Sequence, residues 1–141
     1  MNNSKIRKQT TLLGISSNKY CPFCKIIRKE IQGYIVYENK DIVTFLDHNP
    51  LFWGHCLLVP RKHFETFRDL PQNLTGSLFG AVQMVSQAVE VGLKANGTFI
   101  AINNKVSQSV PHFHVHIVPR RYKDGLKGFF WPRIPYRNQD E

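Results

Sequence analysis

Three histidines stand at alternate positions in the stretch His112-Phe113-His114-Val115-His116-Ile117-Val118-Pro119, with apolar residues between them. Successive side chains of an extended strand point to opposite faces, so His112, His114 and His116 line one face and Phe113, Val115 and Ile117 the other. Neighbouring imidazoles on such a face lie roughly 6–7 Å apart, near enough to surround one phosphate or one metal ion. The apolar face can pack into a core and hold the histidine face still. A helix would scatter the rings, so the pattern predicts a strand. Imidazole is a good nucleophile toward phosphorus near neutral pH, and the phosphoramidate it forms is itself reactive. One histidine cannot both attack and steady the phosphate; a second and third on its face can donate hydrogen bonds to the phosphate oxygen and the leaving group.

A second candidate is Cys21-Pro22-Phe23-Cys24, which opens a helical pattern. Three readings stand open for it: half of a tetrahedral metal site lacking two ligands, a redox pair, or two buried thiols. A redox motif of this kind should follow a buried strand, whereas residues 15–20 are polar. Cys56 falls on the opposite strand face from His55 and reads as a small buried apolar residue. His55 shares the face of Leu57 and Val59, where a direct substrate contact and a supporting hydrogen bond are equally compatible with the pattern. Asp47 alone reads as a strand-end turn residue, and Phe45, Leu46 and Leu57 as core.

These residues need a frame, and the chain supplies one. Phe23, Ile26 and Ile27 share one face of a short N-terminal helix that Gly33 is expected to end. Residues 34–38 and 41–47 read as two strands joined by Asn39-Lys40, residues 55–59 as a strand closed by Pro60, and residues 98–102 as another. Between the last two lies the longest element, about residues 73–95. There Leu74, Leu78, Val82, Val85, Val89 and Leu93 recur every three or four residues, the mark of an amphipathic helix. Gly76, Gly80 and Gly92 each cost it about 1 kcal/mol relative to Ala, so packing must carry it, and Asn96-Gly97 is the expected stop. Strands gathered around one long helix predict an α+β fold with a mainly antiparallel sheet.

The histidine stretch with its approach, Gln108-Ser109-Val110-Pro111, resembles the signature of the histidine triad family. Gly54-His55-Cys56-Leu57-Leu58-Val59-Pro60-Arg61-Lys62-His63 is similar to a second family segment, and Thr44-Phe45-Leu46-Asp47 to its nucleoside-binding strand. The matches cover about residues 20–132 in the family's order. The resemblance implies a curved antiparallel sheet with one long helix and a short N-terminal helix, and a homodimer. It implies that His114 attacks the α-phosphate of a nucleoside monophosphate conjugate, forming a nucleotidyl-histidine that water hydrolyses, while His116 binds the phosphate and supports the leaving group and His112 orients. Gln108, Ser109 and Asn103 would contact the phosphate, Asp47 the ribose hydroxyls, and Phe45, Leu46 and Leu57 the base. Family members with such a cysteine pair complete a structural zinc site with two histidines, at the positions of His63 and His112. Nucleoside phosphoramidates and dinucleoside polyphosphates such as diadenosine tetraphosphate both remain open as substrates, adenosine or another purine included. So does a nucleotide-binding, zinc-stabilised interaction protein with little turnover. Ser107 departs from the family, which commonly has Gly there and a longer loop.

The bulk numbers set bounds. The chain has 141 residues, 42% hydrophobic and 21% charged, which suits one globular domain, residues 20–141, behind a flexible arm, residues 1–19. No apolar run reaches the roughly 20 residues of a membrane span. The arm lacks a signal-peptide core, so the expectation is a cytoplasmic protein with no membrane partner. An odd number of cysteines, three, argues against a disulfide framework. The net charge of +9 favours phosphate-bearing partners without establishing nucleic-acid binding, for which the length leaves little room. The tail, residues 125–133, mixes aromatic and basic residues suited to base stacking or to packing on a second subunit.

Overall fold

In the computed structural model, residues 18–126 and 132–140 are described. Five strands, β1 (Ile35–Glu38), β2 (Ile42–Leu46), β3 (Cys56–Pro60), β4 (Gly97–Ala101) and β5 (Val115–Arg120), form one antiparallel sheet in the order β1-β2-β3-β5-β4. A short helix, α1 (Pro22–Ile27), precedes them, and the long helix α2 (Gln72–Leu93) links β3 to β4. The expected α+β architecture, an antiparallel sheet with one long and one short helix, is what forms.

Alternation sorts the core into two halves. On one face Ile42, Cys56, Leu58, Val115, Ile117 and Phe113 bury against Leu78, Ala81, Val82 and Val85 of α2. On the other Val43, Phe45, Leu57 and Val59 bury against Cys21, Phe23 and Cys24 of α1. The apolar partners of the histidines therefore grip the long helix, and the histidines look toward the short one.

Boundaries differ from the sequence expectation at instructive places. The ladder of β5 starts at Val115, so His112 and His114 precede it; their segment is held instead by Phe113 N–H donating to the Phe64 carbonyl at 2.6 Å. Helix α1 stops at Ile27 rather than near Gly33, with Lys29 left-handed at φ 61°. Helix α2 stops at Lys94, also left-handed at φ 51°, with the Ala95 N–H returning to the Glu90 carbonyl. The Arg121 guanidinium donates to the carbonyls of Leu93 and Lys94, satisfying the helix end in place of the expected Asn96-Gly97 stop. The expected arm falls almost wholly outside the described residues, as do Phe129, Phe130 and Trp131 of the tail. Among the described residues no helix is long and apolar enough to cross a membrane.

A Cβ added at Gly76, Gly80 or Gly92 would meet nothing within 4 Å. Gly80→Ala should therefore raise stability by about 1 kcal/mol in chemical denaturation. A loss instead would place a second copy of the chain against that face of α2.

Candidate active site and metal centre

Each catalytic candidate owes its place to a different element. His116 lies within β5, paired with Leu57 of β3 on one side and Ala101 of β4 on the other. His55 immediately precedes β3, and Asp47 follows β2, its N–H bonded to the His55 carbonyl at 2.9 Å. Gly54, at φ 94°, makes the turn into His55 with a backbone that other residues adopt only under strain.

His114 is buried, with 3% of its surface exposed. Its Nδ1 lies 2.7 Å from the main-chain oxygen of His112. A carbonyl only accepts, so the proton sits on Nδ1 and Nε2 keeps its lone pair. Phe23 from α1 stands edge-on to this ring at 5.2 Å, and the His116 ring lies 4.9 Å away, closer than an ideal strand predicts. Phe23 was legible in the sequence only as a helix-face residue, yet it also meets Phe45 at 5.3 Å and His112 at 5.9 Å. It closes the buried end of the site.

Burial lowers the pKa of His114 and His55. His116 falls from 6.5 to about 4, first through burial and then through the neighbouring His114 and His55. Removing water penalises the charged imidazolium, so the rings are neutral at pH 7. A depressed His pKa contributes stability that is whole above pH 6.5 and is lost as the pH falls toward about 4. The melting temperature should decline across that window; a flat profile would mean that the rings are solvated.

His112 leaves the others. Its Nδ1 lies 3.4 Å from Cys21 Sγ and 3.6 Å from Cys24 Sγ, while Cys24 Sγ is 3.4 Å from His63 Nδ1. All four ligand atoms fall within 4.8 Å of one another. Ligands about 2.0–2.3 Å from a tetrahedral ion stand roughly 3.3–3.8 Å apart, so the spacing fits. The Nε2–H of His112 donates to the Pro60 carbonyl at 2.9 Å, fixing Nδ1 as the lone-pair nitrogen that faces the sulfurs. The two thiols shift one another: interaction with Cys24 lowers the pKa of Cys21, and interaction with Cys21, with burial, raises that of Cys24. These four residues could hold a metal ion.

Asp47, His55 and His116 also converge, but with a different chemistry. The Leu51 N–H donates to His55 Nδ1 at 3.2 Å, so the His55 proton sits on Nε2, which faces His116 Nδ1 at 3.0 Å. The remaining candidates are spread unevenly. Phe45 and Leu57 are buried on the histidine face, whereas Leu46, opposite Cys56 and half-exposed, lies on the other face. Gln108 spends its amide inside the loop, accepting from Lys105 N–H at 2.7 Å and donating to the Glu65 carbonyl at 2.6 Å. Asn103 donates to the Ser107 carbonyl at 3.2 Å, and Ser109 is exposed. Ser107 sits at φ 59°, a left-handed backbone that glycine adopts more easily than serine.

Residues 28–123 match the family model described as the HIT domain. Over 74% of the chain it is 42% identical to an uncharacterized HIT-like protein of Saccharolobus solfataricus, covering 76% of that protein. Over 75% it is 33% identical to the adenylylsulfatase HINT3 of Arabidopsis thaliana, covering 55% of that longer protein. Among solved structures, a Zn-bound histidine triad family protein from Mycobacterium smegmatis superposes with a TM-score of 0.73 at 33% identity, covering 84% of this chain and 85% of that one. Proteins of this family bind nucleotides, often form dimers and are generally nucleotide hydrolases or transferases. With its antiparallel sheet, its helix-backed histidine stretch and these relatives, the chain belongs to the histidine triad (HIT) family.

Proposed function

We propose that the protein is a nucleotide hydrolase or transferase that cleaves at the α-phosphate of a nucleoside monophosphate conjugate through a nucleotidyl-histidine on His114. One observation carries this: a buried imidazole whose Nδ1–H is committed to the His112 carbonyl at 2.7 Å, leaving Nε2 as a neutral nucleophile. His116, on the same face, supports the leaving group, and Asp47 beside it accepts from the ribose hydroxyls. Phe45 and Leu57 form an apolar floor under the base. The Asn103–Ser109 loop receives the phosphate through Ser109 and main-chain groups, since Gln108 is engaged with Glu65.

Cys21, Cys24, His63 and His112 hold zinc in a structural role. Bound there, the ion supplies a fixed cationic cross-link rather than chemistry on substrate. His112 then ties the two centres together, its ring to the cysteines and its carbonyl to the nucleophile. We take the working form to be a cytoplasmic homodimer.

The test is turnover of an adenosine phosphoramidate and of diadenosine tetraphosphate, side by side, on protein whose zinc has been assayed. AMP released from either supports the proposal, and the better substrate names the leaving group. Binding of AMP with cleavage of neither substrate would instead make the protein a zinc-stabilised nucleotide-binding module.

A further inference from the structure

We propose that His55 is a positioning residue that switches the proton arrangement of His116, with the Leu51 main-chain amide holding one tautomer and the Asp47 carboxylate the other. The inference rests on the nucleotide-transfer reading of His114 and extends it to a residue that does not touch the reacting atoms.

Three groups converge on the His55 ring from three elements. The Leu51 N–H, from the loop before β3, lies 3.2 Å from Nδ1. Asp47 Oδ2, beyond the end of β2, lies 3.7 Å from the same nitrogen. His116 Nδ1, on β5, lies 3.0 Å from Nε2. His55 Nδ1 thus stands between a group that can only donate and a group that can only accept. With Leu51 as partner, Nδ1 is a lone pair, Nε2–H donates to His116 Nδ1, and the proton of His116 must sit on Nε2. With Asp47 as partner, Nδ1 carries the proton, Nε2 becomes a lone pair, and His116 Nδ1 can carry a proton toward it. The first arrangement suits a neutral His116 and the second a charged one. No other described ionisable group hydrogen-bonds to the ring; His114 acts on it through charge alone.

The two arrangements match the two halves of the reaction. When the substrate phosphate enters, His116 takes one proton from solvent and becomes an imidazolium, and His55 moves its own proton to Nδ1 against Asp47. His114 Nε2 then forms its bond to phosphorus as the bond to the leaving group breaks. The Nε2 proton of His116 goes to the departing atom, leaving His116 neutral with its proton on Nδ1. Its bare Nε2 is now the base that accepts a proton from the attacking water as the P–N bond to His114 breaks. The proton given in the first half is recovered in the second, so the cycle consumes only water.

The experiment compares wild type, His55→Leu and His55→Gln on two AMP derivatives. One has an alkylamine leaving group that needs a proton; the other is a p-nitrophenyl ester that does not. A switch predicts that His55→Leu slows first-turnover release of the amine by about a hundredfold or more, the usual size of general-acid help, with little change in the first-turnover burst of p-nitrophenolate or in KM. Gln offers both an acceptor and a donor and should restore most of the loss. Equal losses on both substrates would mean that His55 only supports the structure, and would overturn the proposal. A second measurement needs no substrate: 15N-histidine NMR of the free protein should place the proton on Nε2 of both His55 and His116. Leu51→Pro, which has no N–H, should shift His55 toward Nδ1–H. A proton on Nδ1 of His55 in free wild type would overturn the switch whether or not the protein turns over either substrate. Failure of wild type on both substrates would count against the proposed function instead.

Discussion

His114→Ala is expected to lower turnover of the better substrate by about a thousandfold or more, because it removes the proposed nucleophile. The loss should fall on kcat, with AMP affinity kept within a few-fold, since Asp47 and the apolar floor remain. The ring is buried against Phe23 and His116, so truncation also leaves a cavity worth a few kcal/mol of stability. Folding is therefore checked by the melting curve and by zinc content, and the rate is compared only on folded protein. Turnover within tenfold of wild type would assign the attack to another group, His116 first among them.

The second large effect is expected from the metal centre. Chelation of zinc, or Cys24→Ser, should lower the melting temperature by about 10 °C. A ligand bound a thousandfold above its dissociation constant stabilises by roughly 4 kcal/mol, and each kcal/mol moves the transition of a domain this size by a few degrees. Serine keeps the volume of Cys24 but loses the soft thiolate that suits zinc. Activity should fall with stability, because the site that binds His112 through its ring also sets its carbonyl against His114. The path continues: His63 leads to Phe64 and Glu65, whose carbonyls accept from Phe113 and Gln108 of the catalytic stretch and loop. Metal loss should therefore loosen the phosphate loop as well as α1. An unchanged melting curve after chelation, with no zinc in the purified protein, would reduce the cluster to four packed side chains.

Much of this arrangement is legible in the chain because it follows from period alone. The alternation of residues 112–117 places histidine on one face and core on the other, and the same rule separates His55 from Cys56. The three-to-four spacing of Leu78, Val82 and Val85 identifies the face of α2 that becomes buried. What stays hidden is set by groups that sequence does not advertise. Every residue but proline has a main-chain N–H, so nothing marks Leu51 as the one that meets His55. Left-handed Lys29 and Lys94 end helices where glycine or asparagine is the expected signal. The separation of the histidines is equally silent: three equivalent positions become a ring set against the cysteines, a buried ring with its lone pair on Nε2, and a hydrogen-bonded partner of His55. The difference comes from what α1 and the loop before β3 bring to each. Gln108 shows the reverse case, a motif residue whose amide is consumed by Lys105 of its loop and by the Glu65 carbonyl.

The most direct measurement is to quench the reaction of wild type with an adenosine phosphoramidate within its first turnovers and to map the covalent adduct by mass spectrometry under mildly alkaline conditions. A nucleotidyl group on His114, absent from His114→Ala, is the predicted result. An adduct on a different residue, or steady AMP release from a protein that never carries one, would contradict the mechanism at its first step.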